Sequence, residues 1–231
     1  MLRNIFLSII CFFNITNCIA QETVEHKNRL TDSVIERFSV LKSNPSIKHG
    51  PYKAFFQRKT LIASGNYSNG KRSGKWIFYN TDGTMAEKYD YDANTLYYEA
   101  PLGAGTDLNY FFDKKPDTSD RVTRPLKIGG PYFGFLPYVS LFRMPFDTFE
   151  INTDSFQAYV ELLISPGGRL ADYKVYLISR FYDYNQTLHM DVNLFSEADK
   201  TFIPATINGE PVLCRIFIHC WVTPDGTLDF F

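Results

Sequence analysis

Four histidines, four cysteines and a few acidic side chains are the residues of this chain with chemistry to offer. His26, His49, His189 and His219 fall in no zincin-type pattern, and none has a second ligand type at metal-binding spacing. His189 and Asp191 are close in sequence, but on a helix such neighbours point apart and make no pair. His219 stands two residues from both Phe217 and Trp221, which reads as a core or rim histidine of a strand. Asp90 and Asp92 flank Tyr91. Glycosidase acids need one carboxyl in an apolar site opposite another, whereas two on an exposed hairpin are solvated. Asp183, between Tyr182 and Tyr184, reads the same way. No Gly-x-Ser-x-Gly elbow occurs. Gly103-Ala104-Gly105 lacks the lysine and Ser/Thr of a phosphate loop. The expectation is a protein that is not an enzyme, with no catalytic, cofactor-binding or metal-ligating residues. A secreted enzyme with a site assembled from distant residues is kept as an alternative.

The cysteines divide by position. Cys11 and Cys18 lie in an N-terminal leader, while Cys214 and Cys220 lie in one apolar stretch that reads as a single strand. Six residues at about 3.3 Å each put these two roughly 20 Å apart, beyond the Cα separation of about 7 Å that a disulfide tolerates. Two buried free thiols are expected.

The leader itself is a signal peptide over residues 1–20. Arg3 supplies a positive start, and residues 5–13 form an apolar run broken only by Ser8. That run is too short for a permanent span. Cys18-Ile19-Ala20 ends in a small residue before Gln21, as signal peptidase requires. Lipidation at Cys18 is the alternative, disfavoured by Asn17 before it. No later segment has the length of apolar sequence that a membrane helix needs, so no span remains after cleavage.

Composition narrows the partners. There are 24 basic and 25 acidic residues, a formal net charge of −1, with no lysine/arginine cluster. Nucleic acid is excluded on that balance, since phosphate binding needs a concentrated basic surface. The 21 Phe and 15 Tyr favour strands and supply a sizeable core.

The elements that would position any site begin with a strand at Val34–Leu41, before an Asn44-Pro45 turn. An internal repeat follows. Gly50-Pro51-Tyr52 recurs 24 residues later as Gly74-Lys75-Trp76, and at the same offset Phe55 matches Tyr79, Ile62 matches Ala86 and Tyr67 matches Tyr91. Asn69-Gly70 and Asp82-Gly83 are hairpin turns, since both pairs favour positive φ. Repeats of this length stack as supersecondary units. Tyr98 stands where a third copy would need glycine, so the array stops there. Residues 99–130, rich in Pro, Gly and Asp, read as a linker or connection.

Beyond Gly129-Gly130, residues 159–164 and 170–178 read as strands joined by Ser165-Pro166-Gly167-Gly168. Leu188, Val192 and Phe195 are spaced as one face of a short helix over 187–196. Asn208-Gly209 is a tight turn, and 211–222 is a last strand. The order is strand, strand, helix, strand, an α+β pattern on an antiparallel sheet.

Two stretches resemble known families. Gly70-Lys71-Arg72-Ser73-Gly74-Lys75-Trp76-Ile77-Phe78-Tyr79, followed by Gly83, resembles the MORN-variant repeat, and the likeness extends over about 48–94. Such repeats are common in exported bacterial and antitoxin-like proteins. Pro204-Ala205, Asn208-Gly209 and Pro211-Val212, leading into the last strand, look like the C-terminal domain of the TonB family over about 155–222. TonB proper keeps an anchor helix and a long Pro-rich spacer; neither is present here, so a full energy transducer is not implied. The resemblance implies a binding mode in which an extended receptor segment adds to an exposed sheet edge.

The resulting expectation is an α+β, mostly β protein in four parts: leader 1–20, MORN-like meander 21–98, connection 99–130 and TonB-C-like domain 131–231. Its expected place is the periplasm or cell envelope of a bacterium, or the medium. Its expected role is binding or scaffolding through a protein partner; an accessory of TonB-dependent transport that binds an outer-membrane receptor segment is the alternative. The expected partner-binding edge is the last strand at Val212, Cys214, Ile216, Ile218 and Cys220, with an internal strand, or one covered by its own tail at 223–231, as the competing reading. A second expected surface is aromatic, at Tyr67, Trp76 and Tyr79, with a meander core as the competing reading of those three residues.

Overall fold

The computed structural model describes residues 22–103, 106–147 and 151–231. The expected leader, with Cys18, Ala20 and Gln21, lies outside the described residues.

The first half is a seven-stranded antiparallel meander in chain order: β1 (Thr23–Arg29), β2 (Val34–Leu41), β3 (Asn44–Phe56), β4 (Thr60–Ser68), β5 (Lys71–Tyr79), β6 (Met85–Asp90) and β7 (Thr95–Glu99). Each strand pairs with the next because the turns between them are tight. Asn69 and Gly70 both take positive φ, at 48° and 82°, as the twist of a two-residue hairpin requires. Period-two alternation then places Tyr52, Ala54 and Phe56 of β3, and Trp76 and Phe78 of β5, in the core.

The repeat in sequence is a repeat in space. Tyr52 meets Tyr67 edge-on at 5.4 Å, and their counterparts Trp76 and Tyr91 meet edge-on at 5.8 Å. Gly65 makes room for the larger ring of the second copy. A Cβ there would lie 2.2 Å from the Trp76 indole, so the ring rests over bare backbone. The indole N–H donates to the Asn66 carbonyl at 3.1 Å. Trp76 is therefore wholly buried, Tyr67 packs against the core, and Tyr79 is half-buried. Trp76 and Tyr67 thus belong to the meander core, and the three residues form no shared aromatic surface.

The second half is built on a six-stranded antiparallel sheet. Its strands run β12 (Tyr184–His189), β11 (Leu170–Ser179), β10 (Gln157–Ile164), β15 (Cys214–Val222) and β16 (Leu228–Asp229), with β8 (Leu108–Phe112) also paired to β15. A small three-stranded sheet joins β14 (Glu210–Val212), β13 (Ala205–Ile207) and β9 (Val122–Thr123). The structure is thus mostly β, with a single short α-helix among the described residues, α1 (Leu136–Ser140), opened by Pro137.

Three expectations change. The 99–130 connection is more than a linker, since it supplies β8 to the large sheet and β9 to the small one. The helix expected over 187–196 is absent. That segment begins as β12, paired to β11 across a turn in which Asp183 takes φ 48°, and continues into a 3₁₀ turn at Val192–Leu194. A helix of ten residues has marginal stability alone, and strand pairing satisfies the same backbone. Leu188, Val192 and Phe195 still meet the core. The last strand is broken at Leu213, whose carbonyl accepts from Asp113 N–H at 3.1 Å.

The two halves share one core. The segment around α1 is wedged between them: Phe133 stacks on Phe78 at 5.7 Å, while Tyr138 meets Tyr173 at 6.4 Å and Phe195 at 4.9 Å. Burial of each such ring is worth about 1.5–3 kcal/mol, so these contacts fasten the meander to the large sheet.

A polar clamp adds to this fastening. Gly129 and Gly130 take φ 135° and 73° and aim both N–H groups at the buried Glu87 carboxylate on β6, at 3.0 and 3.2 Å. A Cβ on Gly129 would strike the Gly134 Cα at 2.6 Å. Burial, partly offset by these two donors, pushes the Glu87 carboxyl up to about 7. Nearby, Lys127 Nζ donates to the carbonyls of Ala198 at 2.5 Å and Thr201 at 3.2 Å, and burial pushes its ammonium down to about 8.

Candidate binding surface

The strand expected to bind a partner is interior. β15 pairs with β10 along its full length on one side and with β8 and β16 on the other. Cys214, Ile216, Ile218 and Cys220 point into the core, and Val212 belongs to β14. Their backbone groups are used in the ladder, so the expected edge is not an edge. One flanking strand comes from 108–112, far from β15 in sequence, and the other, 228–229, folds back on β15 directly after the turn at 223–227. Cys214 and Cys220 are both free and buried, as their spacing along one strand requires.

Among the described residues the large sheet ends on β12 at one side, where β11 is its only strand neighbour, and on β8 and β16 at the other. The hydrogen-bonding phase of β12 follows from one contact. Met190 N–H donates to the Tyr173 carbonyl at 2.9 Å, continuing the register in which Lys174 faces His189. Hydrogen-bonded and non-bonded pairs alternate along an antiparallel ladder. The N–H groups of Tyr184, Gln186 and Leu188 therefore point to β11, and those of Asn185, Thr187 and His189 point away from the sheet. Side chains follow the same alternation: Tyr184 and Leu188 pack on the core, while Asn185, Thr187 and His189 are exposed.

This edge carries none of the usual guards. Protein edges are blunted by charged side chains, proline, bulges or extreme shortness. The other outer strands among the described residues comply: β1 carries Glu25, Lys27 and Arg29, β14 carries Pro211, β7 and β8 have five residues each, and β9 and β16 have two. β12 is six residues long with no Lys, Arg, Asp, Glu or Pro, and its register to β11 is unbroken.

The outward face of the same sheet is aromatic and self-neutralised. Tyr176 stacks on Phe217 at 6.2 Å, Tyr159 on His219 at 5.1 Å, and Phe111 meets Phe217 edge-on at 5.3 Å. The charges between these rings pair among themselves. Arg215 Nε lies 3.2 Å from Glu161, Lys174 Nζ lies 2.9 Å from Asp172, and His219 Nδ1 lies 3.5 Å from Asp107. The Tyr176 hydroxyl donates to Glu161, which holds the phenol above its ordinary range. Arg215 with Glu161 and Lys174 with Asp172 thus offset each other within the chain.

The other residues with chemistry to offer have structural work. Asp90 accepts from the N–H groups of Asp92 at 3.0 Å and Ala93 at 3.1 Å, closing a turn. Asp183 occupies a left-handed turn position. A cleft of about 240 Å³ lies between the halves, lined by Asn80, Asp82, Leu102, Tyr132, Phe230 and Phe231. Asp82 is turned away from chemistry, accepting from the N–H and hydroxyl of Thr84 at 2.8 and 2.7 Å.

Asn185, Thr187 and His189 were hidden in sequence by the helical spacing of Leu188, Val192 and Phe195. The available signal was the alternation of Tyr184, Gln186 and Leu188 against Asn185, Thr187 and His189 after a turn-forming Asp183. Compared with known proteins, the chain matches no family model, no curated protein and no solved structure.

Proposed function

We propose that this chain is an exported bacterial cell-envelope protein that binds or scaffolds a protein partner through the β12 edge of its large sheet. The observation that carries the reading is the unguarded β12 edge, with the N–H groups of Asn185, Thr187 and His189 directed outward. Such an edge accepts an extended segment as an additional strand: main-chain hydrogen bonds supply affinity, and alternate side chains supply selectivity. The apolar leader with its small residue before Gln21 supports export, and so do the MORN-variant and TonB-like resemblances. An outer-membrane receptor segment added at β12 is the transport-accessory form of the same reading, because β15 has no free side to receive it.

The test is retention of envelope proteins by the tagged chain and by its Thr187→Pro variant. Proline removes an outward N–H and leaves the β11 ladder intact. The expected result is a partner retained by the wild type and lost by the variant, with melting temperature unchanged. Equal retention by both would overturn the edge as the contact.

A further inference from the structure

We infer that the occupant of the β12 edge is a second copy of this chain, paired antiparallel about a two-fold axis at Gln186. The inference rests on the edge-binding reading above and names its partner.

Four observations support it. First, the strand complements itself in this register. With Gln186 opposite its own copy, Tyr184 faces Leu188 on the core side and Asn185 faces Thr187 on the outer side. Asp183 comes beside His189 at each end. These are aromatic–aliphatic, amide–hydroxyl and acid–histidine pairs, and no like charges meet. Second, the hydrogen-bonding phase agrees. Asn185 and Thr187 both direct N–H and C=O outward, so each would exchange two hydrogen bonds with its counterpart. Third, the large apolar side chains most exposed among the described residues flank this strand: Phe181 at 78% and Leu194 at 64%. A two-fold axis between them brings the Phe181 end of one copy to the Leu194 end of the other, where both can leave water. Fourth, the charges on the adjoining face are already paired within the chain, so two such sheets can continue side by side without repulsion. An isologous contact of this kind closes as a dimer and does not propagate.

The experiment uses the chain expressed with its own leader and purified as it accumulates. Light scattering after size exclusion is expected to give twice the chain mass for the wild type and a single chain mass for Thr187→Pro. Gln186→Cys places two introduced thiols on the axis in a non-hydrogen-bonded pair, with Cα atoms about 4.5 Å apart, within disulfide reach. It is expected to form a reducible covalent dimer under mild oxidation. Thr187→Cys, opposite Asn185 of the second copy, is expected to do so far less. Cys214 and Cys220 are buried and do not compete.

A monomeric wild type, a dimer that survives Thr187→Pro, or cross-linking of Thr187→Cys in preference to Gln186→Cys would overturn the inference. If the wild type is monomeric yet retains an envelope protein through Thr187, self-pairing fails and edge binding stands. If retention is also independent of Thr187, both fail.

Discussion

Arg72 lies over the ring of Trp76 at 5.0 Å, and 24 residues earlier Lys48 lies over the ring of Tyr52 at 5.2 Å. The same two cations stand 5.6 Å from Tyr91 and 5.5 Å from Tyr67. Each repeat thus carries a cation, a large core ring and a second ring edge-on to it. The copies differ in what else the cation meets. Lys48 also pairs with the buried Glu36 at 2.9 Å, whereas Arg72 donates to the Tyr91 hydroxyl at 2.7 Å.

That difference predicts an order of stabilities. Arg72→Met removes cation–π contacts with Trp76, Tyr91 and Phe133 and one hydrogen bond, and is expected to cost about 1–2 kcal/mol. Lys48→Met leaves the Glu36 carboxylate buried without its cation. It is expected to cost about 2–3 kcal/mol, a value reduced because Lys48 is partly exposed. Trp76→Ala opens the core beneath both and is expected to cost about 3–5 kcal/mol. Urea unfolding of the three variants checks the order; a larger loss at Arg72 than at Lys48 would contradict it.

The pH dependence of stability should carry two slopes of opposite sign. The Glu87 carboxyl rises from 4.5 in the unfolded chain to about 7 in the fold. Between those values the native state holds more protons than the unfolded state, so this group's contribution is full below pH 4.5 and is lost as pH rises through 7. Lys127 falls from 10.5 to about 8. Between pH 8 and 10.5 the unfolded state holds the extra proton, so stability gains from this group as pH rises. Each slope amounts to about 3 kcal/mol at most. Glu87→Gln is expected to flatten the first and Lys127→Met the second, read as unfolding free energy against pH. A Glu87→Gln profile parallel to wild type from pH 4.5 to 7 would refute the clamp's titration.

Cys214 and Cys220 should be silent toward thiol reagents in the native protein. Both are buried and unpaired, and burial pushes the Cys214 thiol up to about 11 and the Cys220 thiol higher still. The thiolate is the reactive form, so reaction waits on opening of the sheet. Labelling by an aromatic disulfide is expected to follow unfolding, with both thiols reacting together in denaturant. Fast reaction of either thiol under native conditions would mean that β15 is more accessible than its pairing implies.

The proposed leader makes a separate prediction. N-terminal sequencing of the exported protein is expected to begin at Gln21. A blocked terminus that incorporates labelled fatty acid would place the modification at Cys18 instead.

The features legible in sequence were those written into local backbone demands. Asn69-Gly70 and Asn208-Gly209 had to turn because few other pairs accept positive φ twice. The 24-residue offset had to be a repeated hairpin because its ring positions recur with the same alternation. Two cysteines six positions apart on one extended strand could not meet.

What only the tertiary structure decided was which strands lie side by side. The tail after residue 222 could be suspected of covering the last strand, and it does so as β16, but that β8 comes from residues 108–112, far earlier in the chain, to cover the rest was decided by the fold. The β12 segment looks helical because Leu188, Val192 and Phe195 share a helical face, whereas Tyr184 and Leu188 share a strand face, and pairing with β11 settled the contest. Local propensity is a property of a few neighbouring residues. Edge or interior is a property of partners distant in sequence, and so is the identity of the strand left free to bind.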